Sequence, residues 1–328
     1  MTPLTLRTLC DRLISLSHPL IVMHTRPDGD TIGSAAALSH LLRLLGKSPR
    51  TIAPDPIPRR LAFLIEGLDL ITLPFDDQPY ETVTVDVASL GQLGSLRDTL
   101  VGDLFPRIMI DHHGRGEAYA DSYVKADASA TGEIVYELAL AMLSNGLISH
   151  LPLDLLTCIY AAISSDTGCF RFSNTTPLTH TIAADLISRG VNAAEINRLL
   201  FDVKSAEQLR AEGYVQSNLR LHPSKRIASI VITREIRESL GLLDEHFETA
   251  IDVVRSLEGV EIAIAIKESP DGRFKASLRS TGADVSAVAA SLGGGGHIRA
   301  AGCSIAANDA TEAAQTVIEA AWEAIKPL

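Results

Sequence analysis

Three short runs constrain this chain most: PLIVMH at 19–24, TVTVDV at 82–87 and RIMID at 107–111. Their β-branched and apolar residues follow one another with little polar alternation. A strand of that kind needs cover on both faces, which is the condition of a parallel sheet between helical layers. Helical spacing lies between and after these runs, in IGSAAALSHLLRLLG at 32–46, TGEIVYELALAMLSNG at 131–146 and LDLLTCIYAAIS at 153–164. The first half therefore predicts an α/β fold built on a parallel sheet. Ligands of such sheets bind in the crevice beyond the carboxyl ends of the strands.

The second half reads differently. Polarity rises from about Asn192 to Ser224, where VKSAEQLRAEGYVQSNLRLH has the pattern of a solvated connecting helix. RIASIVIT (226–233), VEIAIAIKES (260–269) and RFKASLRS (273–280) then alternate as strands, with helical patterns at 284–293 and 310–325. At 328 residues the length favours two cores over one. The expected organisation is a catalytic domain at 1–190, a helical linker at 191–222 and a smaller mixed α/β domain at 223–328.

Composition removes several classes of function. A hydrophobic content of 46% with 21% charged residues describes a globular chain, and no apolar run approaches the roughly 20 residues of a membrane span. The N-terminal MTPLTLRTLCDRLISLSHPL spaces its leucines helically around Arg7, Asp11 and Arg12, the pattern of an amphipathic helix and not of a secretory leader. Four scattered cysteines without a CxxC pair fit a reduced, cytoplasmic protein with no thiolate zinc site. A formal net charge of −11 argues against broad binding of long nucleic acid, whose affinity comes from many phosphate contacts.

The unusual residues sit at the strand ends. HTRPDGDTIGS crowds His24, Asp28 and Asp30 into one turn, where Gly29 allows a positive φ between the acids. Gly33 and Ser34 are expected to open a helix whose amides favour an anion. Asp86 ends TVTVD, Asp111, His112 and His113 end RIMIDHH, and Asp166 opens a glycine-containing loop. Alone, the first turn reads equally well as turn and cap chemistry, Asp86 reads as a strand cap and Asp166 as an ordinary loop residue, while the DHH run at 111–113 is the stronger signal. Together, His24, Asp28, Asp30, Asp86, His112 and Asp166 suit two divalent cations sharing a bridging carboxylate. Mixed imidazole and carboxylate ligation favours Mn²⁺, with Mg²⁺ or Co²⁺ as alternatives and Ca²⁺ disfavoured. His18, His40, His150, His180, His222 and His246 have no acids at ligand spacing and read as structural or surface residues.

HTRPDGDTIGS, VDV, DHH and SSDTG, in this order, resemble the four motifs of the DHH phosphoesterase superfamily. GGGGHIRAAG at 293–302 resembles the signature of its DHHA1 substrate domain, so the resemblance spans residues 18–305. ASATGEIVYEL (128–138), DTGCFRFSNTTP (166–177) and SLRS (277–280) are similar to the standalone nanoRNase and pAp phosphatase group called NrnA. The resemblance implies that His24 and Asp28 hold one metal and Asp30 the other, with Asp86 bridging. His112 and Asp166 would complete the second site. Asp111 would orient a histidine, and His113 would face the scissile phosphate. Arg279, Ser280, Gly294, Gly295, Gly296, His297 and Arg299 would grip the end of the substrate. The implied activity is hydrolysis of short RNA oligonucleotides and dephosphorylation of 3′-phosphoadenosine 5′-phosphate (pAp), in a homodimer. The alternative is hydrolysis of linear or cyclic dinucleotide second messengers. A nucleotide-binding protein without catalysis would be expected to lack a ligand, and every expected position is filled.

Overall fold

The apolar runs form the middle of a five-stranded, all-parallel sheet in the order β2-β1-β3-β4-β5, with β1 Pro19–Val22, β2 Arg50–Ile52, β3 Glu81–Val85, β4 Ile108–Asp111 and β5 Asp121–Val124. The computed structural model describes residues 2–325 apart from 74–77, 101, 103, 115 and 118, and the side chain of His297 lies outside the described residues. Alternate residues of the central strands enter two different cores. Ile21, Val83, Val85, Ile108 and Ile110 face one helical layer, while Leu20, Val22, Ile52 and Met109 face the other. Both faces of these strands are therefore covered, and the buried Thr82 and Thr84 of β3 have their hydroxyls hydrogen-bonded to the Leu104 carbonyl and to Tyr119, respectively.

The helices Gly29–Leu44, Thr131–Ser144 and Leu153–Asp166 cover the first face. The strand order reverses direction between β1 and β3, and a doubly wound sheet opens its ligand crevice at such a switch point. β2 and β5 were not visible as sequence patterns; both are short strands at the edges of the sheet. The backbone of Thr2 and Leu4 hydrogen-bonds to Ser122 and covers the outer edge of β5.

The chain divides into two units, Met1–Val203 and Lys204–Leu328. The second contains a mixed six-stranded sheet in the order β10-β11-β9-β8-β7-β6. Its strands are β6 Arg220–Leu221, β7 Ile227–Ile232, β8 Ile262–Glu268, β9 Phe274–Ser280, β10 Gly295–His297 and β11 Ala300–Ile305. One face packs on the helices Val285–Ser291 and Ala310–Glu323, and the other on Ala206–Asn218 and Ala250–Arg255. The helix Ala206–Asn218 is therefore no solvated connector: Ala211 and Val215 are buried in the second unit's core. Only two of its turns carry apolar residues inward, so its sequence is dominated by the polar face.

Gly295 and Gly296 of the glycine-rich motif lie in the edge strand β10, paired antiparallel with β11. Gly296 has φ +142, and a Cβ there would lie 2.5 Å from the Ala301 Cα; at Gly294 it would lie 2.2 Å from the Gly302 carbonyl oxygen. Close strand packing alone demands glycine at both positions. Gly295 has open space around its Cα.

Candidate metal centre

All six expected metal ligands come from segments that end at the same edge of the first sheet or from helices packed against it. The helix Gly29–Leu44 begins earlier than its sequence pattern suggested. Asp28 caps it, accepting from the amides of Asp30 (3.0 Å) and Thr31 (3.2 Å), so Gly33 and Ser34 lie inside the helix and present no anion site. Gly29 takes no positive φ; it is glycine because a Cβ would lie 2.3 Å from Ser165 Oγ in the helix that carries Asp166. The close approach of those two helices sets Asp30 opposite Asp166.

Asp30 is 1% exposed, and its carboxylate is held by the start of the helix Thr131–Ser144. The amides of Thr131 (2.7 Å) and Gly132 (3.1 Å) donate to it, as does Ser34 Oγ (2.9 Å). A helix N-terminus therefore does bind an anion here, and the anion is a side chain of the chain itself. Nothing in the local sequence around Asp30 indicates this partner, 101 residues away.

Asp86 adopts a left-handed backbone (φ 60) at the end of β3, a conformation that aspartate tolerates better than most residues. The turn aims its two carboxylate oxygens at different groups. Oδ2 lies 3.5 Å from His24 Nε2, and Oδ1 lies 3.6 Å from His112 Nε2. His24 Nε2 is 3.7 Å from Asp28 Oδ1, and His112 Nε2 is 3.7 Å from both Asp30 Oδ2 and Asp166 Oδ2. Separations of this size exceed a good hydrogen bond. They match the span left between two ligands that each stand about 2.1 Å from one divalent ion. The groups His24, Asp28 and Asp86 and Asp30, His112 and Asp166 are thus each arranged as one that could hold a metal, with Asp86 common to both.

The outer contacts of the histidines set their tautomers. His24 Nδ1 faces the Thr25 carbonyl at 2.7 Å and His112 Nδ1 the Ala128 carbonyl at 3.2 Å. A carbonyl can only accept, so Nδ1 carries a proton and Nε2 is the nitrogen that faces the centre. His113 differs: its Nδ1 lies 2.7 Å from Asp111 Oδ1. Asp111 is fully buried and also accepts the amides of His112 (2.8 Å) and His113 (3.1 Å). It orients His113 and faces no ligand group of the two clusters directly.

Electrostatics agree with a centre built for cations. Burial, then Asp86, Asp166 and Asp28, hold Asp30 well above the ordinary carboxylate range, against the Thr131 amide. Burial opposes charging of His24, but Asp28 and Asp86 outweigh it and raise the imidazole to about 11. Asp28 is lowered: desolvation works against this, and His24 with the Thr31 and Asp30 amides prevails. The Asp111 hydrogen bond raises His113 to about 9. Without cations, protons must balance this crowd of carboxylates.

Asp166 is raised to about 6 from 3.8, chiefly by burial, with His112 lowering it and Asp86 and Asp28 raising it. The folded chain then holds a proton that the unfolded chain releases near 3.8, so this group's contribution to metal-free stability falls as pH rises from about 4 to about 6. A metal must displace the same proton. Mn²⁺ affinity at the site that Asp166 lines is expected to fall as the pH drops below about 6. Mn²⁺ titrations between pH 5 and 8 followed by electron paramagnetic resonance measure this; a flat profile across that window would remove Asp166 from the ligand set.

The expected substrate residues lie on the second unit. Arg279 is half-buried near the end of β9, opposite Ala300 of β11, which itself pairs with the glycine strand β10. Burial pushes its guanidinium pKa down; Asp252 opposes that and Arg255 adds to it. Ser280, by contrast, is buried, and its hydroxyl donates to the Ala283 carbonyl to close the turn after β9. Arg299 is exposed and donates to the same carbonyl at 3.1 Å. Reading residue types alone missed Thr131 and Gly132, whose amides hold Asp30; the helix start SATG carries them.

A switch-point crevice lined by carboxylates and imidazoles, on a unit followed by a second mixed sheet, is the layout of a metal-dependent phosphoester hydrolase. Residues 19–163 match the DHH family, N-terminal domain, and residues 231–326 match the DHHA1 domain. The chain is 31% identical to a bifunctional oligoribonuclease and PAP phosphatase NrnA of Thermus thermophilus, over 97% of this chain and 94% of that one. A protein of the same description from Bacillus subtilis is 28% identical over 92% and 93%. Among solved structures, an exopolyphosphatase-related protein of Bacteroides fragilis superposes with a TM-score of 0.87 at 25% identity, covering 97% of this chain and 95% of that one. The chain belongs to the DHH family of phosphoesterases, enzymes that use divalent metals. No helix among the described residues is long and apolar enough to cross a membrane.

Proposed function

We propose that this chain hydrolyses short RNA oligonucleotides to mononucleotides and removes the 3′-phosphate of pAp. The observation that carries the chemistry is Asp86, whose two oxygens face two separate imidazole and carboxylate groups. The substrate class is supported by near full-length similarity to proteins described as oligoribonuclease and PAP phosphatase.

In this reading His24, Asp28 and Asp86 hold one divalent cation, and Asp30, His112, Asp166 and Asp86 hold the other. Bound there, the pair would supply Lewis acidity for an in-line displacement by water at phosphorus. Mn²⁺ is the ion we assign, because imidazole nitrogens join the carboxylates. The chain's own residues do the rest. The Asp111 hydrogen bond favours a protonated His113, whose other ring nitrogen would donate to a phosphoryl oxygen as charge develops on it. Thr131 Oγ1 donates to Asp86 Oδ1 at 3.0 Å and stops that carboxylate from rotating. On the second unit, Arg279 pairs with a terminal phosphate and the open backbone at Gly295 admits its close approach. Anchoring a chain end selects short substrates, in keeping with a net charge of −11 and 5% aromatic residues. A homodimer in the cytoplasm is the setting that the family resemblance implies.

The test is a cleavage panel: end-labelled RNA of two, five and twenty-four nucleotides, pAp, and linear and cyclic dinucleotides, each with Mn²⁺ and with chelator. Metal-dependent loss of the short RNAs and of pAp is expected, with the long RNA largely spared. A strong preference for a cyclic dinucleotide would replace the proposal with a signalling role, and absence of turnover would leave only binding.

A further inference from the structure

The run DTGCFRFSNTTP has one residue assigned a role so far, Asp166, although its backbone is the most contorted near the centre. Gly168, Cys169 and Phe170 follow one another in left-handed conformation, with φ 55, 59 and 61. Outside glycine such geometry costs about 1–3 kcal/mol per residue and persists only where the surroundings impose it. Here the surroundings are explicit. The amides of Arg171 (2.9 Å) and Phe172 (3.0 Å) return to the Thr167 carbonyl, the Phe170 amide donates to Thr167 Oγ1 at 3.1 Å, and the Phe170 ring stacks on His180 at 5.4 Å. The turn reverses the chain after the helix Leu153–Asp166 and brings Asn174 back onto Asp166.

Asn174 Nδ2 lies 3.1 Å from Asp166 Oδ2, 3.2 Å from the Asp166 carbonyl and 2.9 Å from the Ser129 carbonyl. All three partners are acceptors, which fixes the amide orientation: one N–H goes to Ser129 and the other is shared by the two oxygens of Asp166. Ser129 is itself clamped, its hydroxyl donating to the buried Glu133 at 2.6 Å and its amide at 3.2 Å. Directly after it come the Thr131 and Gly132 amides that hold Asp30. One side-chain amide thus joins Asp166 to the segment whose amides hold Asp30, and the carboxylates of Asp30 and Asp166 both face His112 Nε2, each at 3.7 Å. The carbonyl end of Asn174 is buried and has no partner among the described residues, so the position is kept for its donors.

We infer that Asn174 is a positioning residue for the metal site formed by Asp30, His112 and Asp166. It fixes the Asp166 carboxylate relative to the segment 129–132 that holds Asp30, and the left-handed turn at 168–170 brings Asn174 there. The inference rests on the reading that Asp166 holds a metal. An outer hydrogen bond of this kind is worth about 10–100-fold in metal affinity.

The experiment compares Mn²⁺ binding to the wild-type chain, Asn174→Leu, Asn174→Ala and Asp166→Asn, by electron paramagnetic resonance of the free ion. Leucine is close to asparagine in size and donates nothing. For Asn174→Leu the expected result is one of two sites weakened about 10–100-fold and the other within about threefold, with turnover restored by excess Mn²⁺. A binding curve for Asn174→Leu like that of the wild type, while Asp166→Asn loses a site, would overturn the inference and leave the metal assignment standing. An Asp166→Asn curve like that of the wild type would overturn the assignment and the inference with it. Loss of folded protein in both Asn174 variants, read by circular dichroism without metal, would make Asn174 a strut of the loop and also overturn it.

Discussion

Asp86→Ala is expected to abolish metal-dependent turnover, lowering kcat by at least about a thousandfold, or about 4 kcal/mol of barrier. Asp86 faces both groups: its Oδ2 is opposite His24 and its Oδ1 opposite His112, with His113 Nδ1 also 3.5 Å from Oδ1. Removing it takes a ligand from each site at once and leaves Thr131 Oγ1 without its acceptor. Backbone strain adds a complication, because alanine is less suited than aspartate to φ 60. Asp86→Asn separates the two effects, since asparagine tolerates that backbone and keeps the shape while losing the charge and one carboxylate oxygen. Both variants should bind Mn²⁺ weakly at both sites. If either retained most of its activity, Asp86 would not bridge the sites and the two-cation reading would fail with it.

Arg279→Ala should raise KM for oligonucleotides by about 10–100-fold, the worth of one charge-assisted hydrogen-bond pair to phosphate, with kcat changed much less. A small aryl phosphodiester has no terminal phosphate to anchor, and its kinetics should be nearly unchanged. Arg279 supports this because half-burial has removed water from a guanidinium that stays charged, so an arriving anion repays a desolvation already incurred. Equal losses on both substrates would place the effect in the fold of β9 or in the chemistry and would remove Arg279 from anchoring.

The residues that touch the centre were legible from residue type because strand tips in a two-sided parallel sheet have no structural need for acids and imidazoles. His24, Asp28, Asp30, Asp86, His112 and Asp166 meet as the linear order of their motifs implied. Their supports were much less legible. Asp111 could be read as orienting a histidine, since it adjoins the two it bonds. Thr131, Gly132 and Asn174 act through a helix start and a strained turn, and neither has a residue-type signature of binding. Gly29 and Gly294 mislead in the same way: both look like flexible or ligand-facing positions, and both are glycine because another segment passes within the space of a Cβ. The helix Ala206–Asn218 misleads in the opposite direction, since a narrow buried stripe under a polar surface resembles a solvated linker.

By itself the sequence determined the parallel sheet, the division into two units and the set of acids and imidazoles that meet at the strand tips. Each of these follows from local pattern: runs of apolar residues that demand two covered faces, and donors placed at the tips of those runs. Only the tertiary structure decided how the donors are held. Asp30 is stabilised by amides 101 residues ahead of it, and Asp86 is aimed at two groups by a left-handed turn after β3. Hydrogen-bond direction and close helix approach depend on which distant backbone atoms lie within about 3 Å, and no periodicity along the chain encodes that distance.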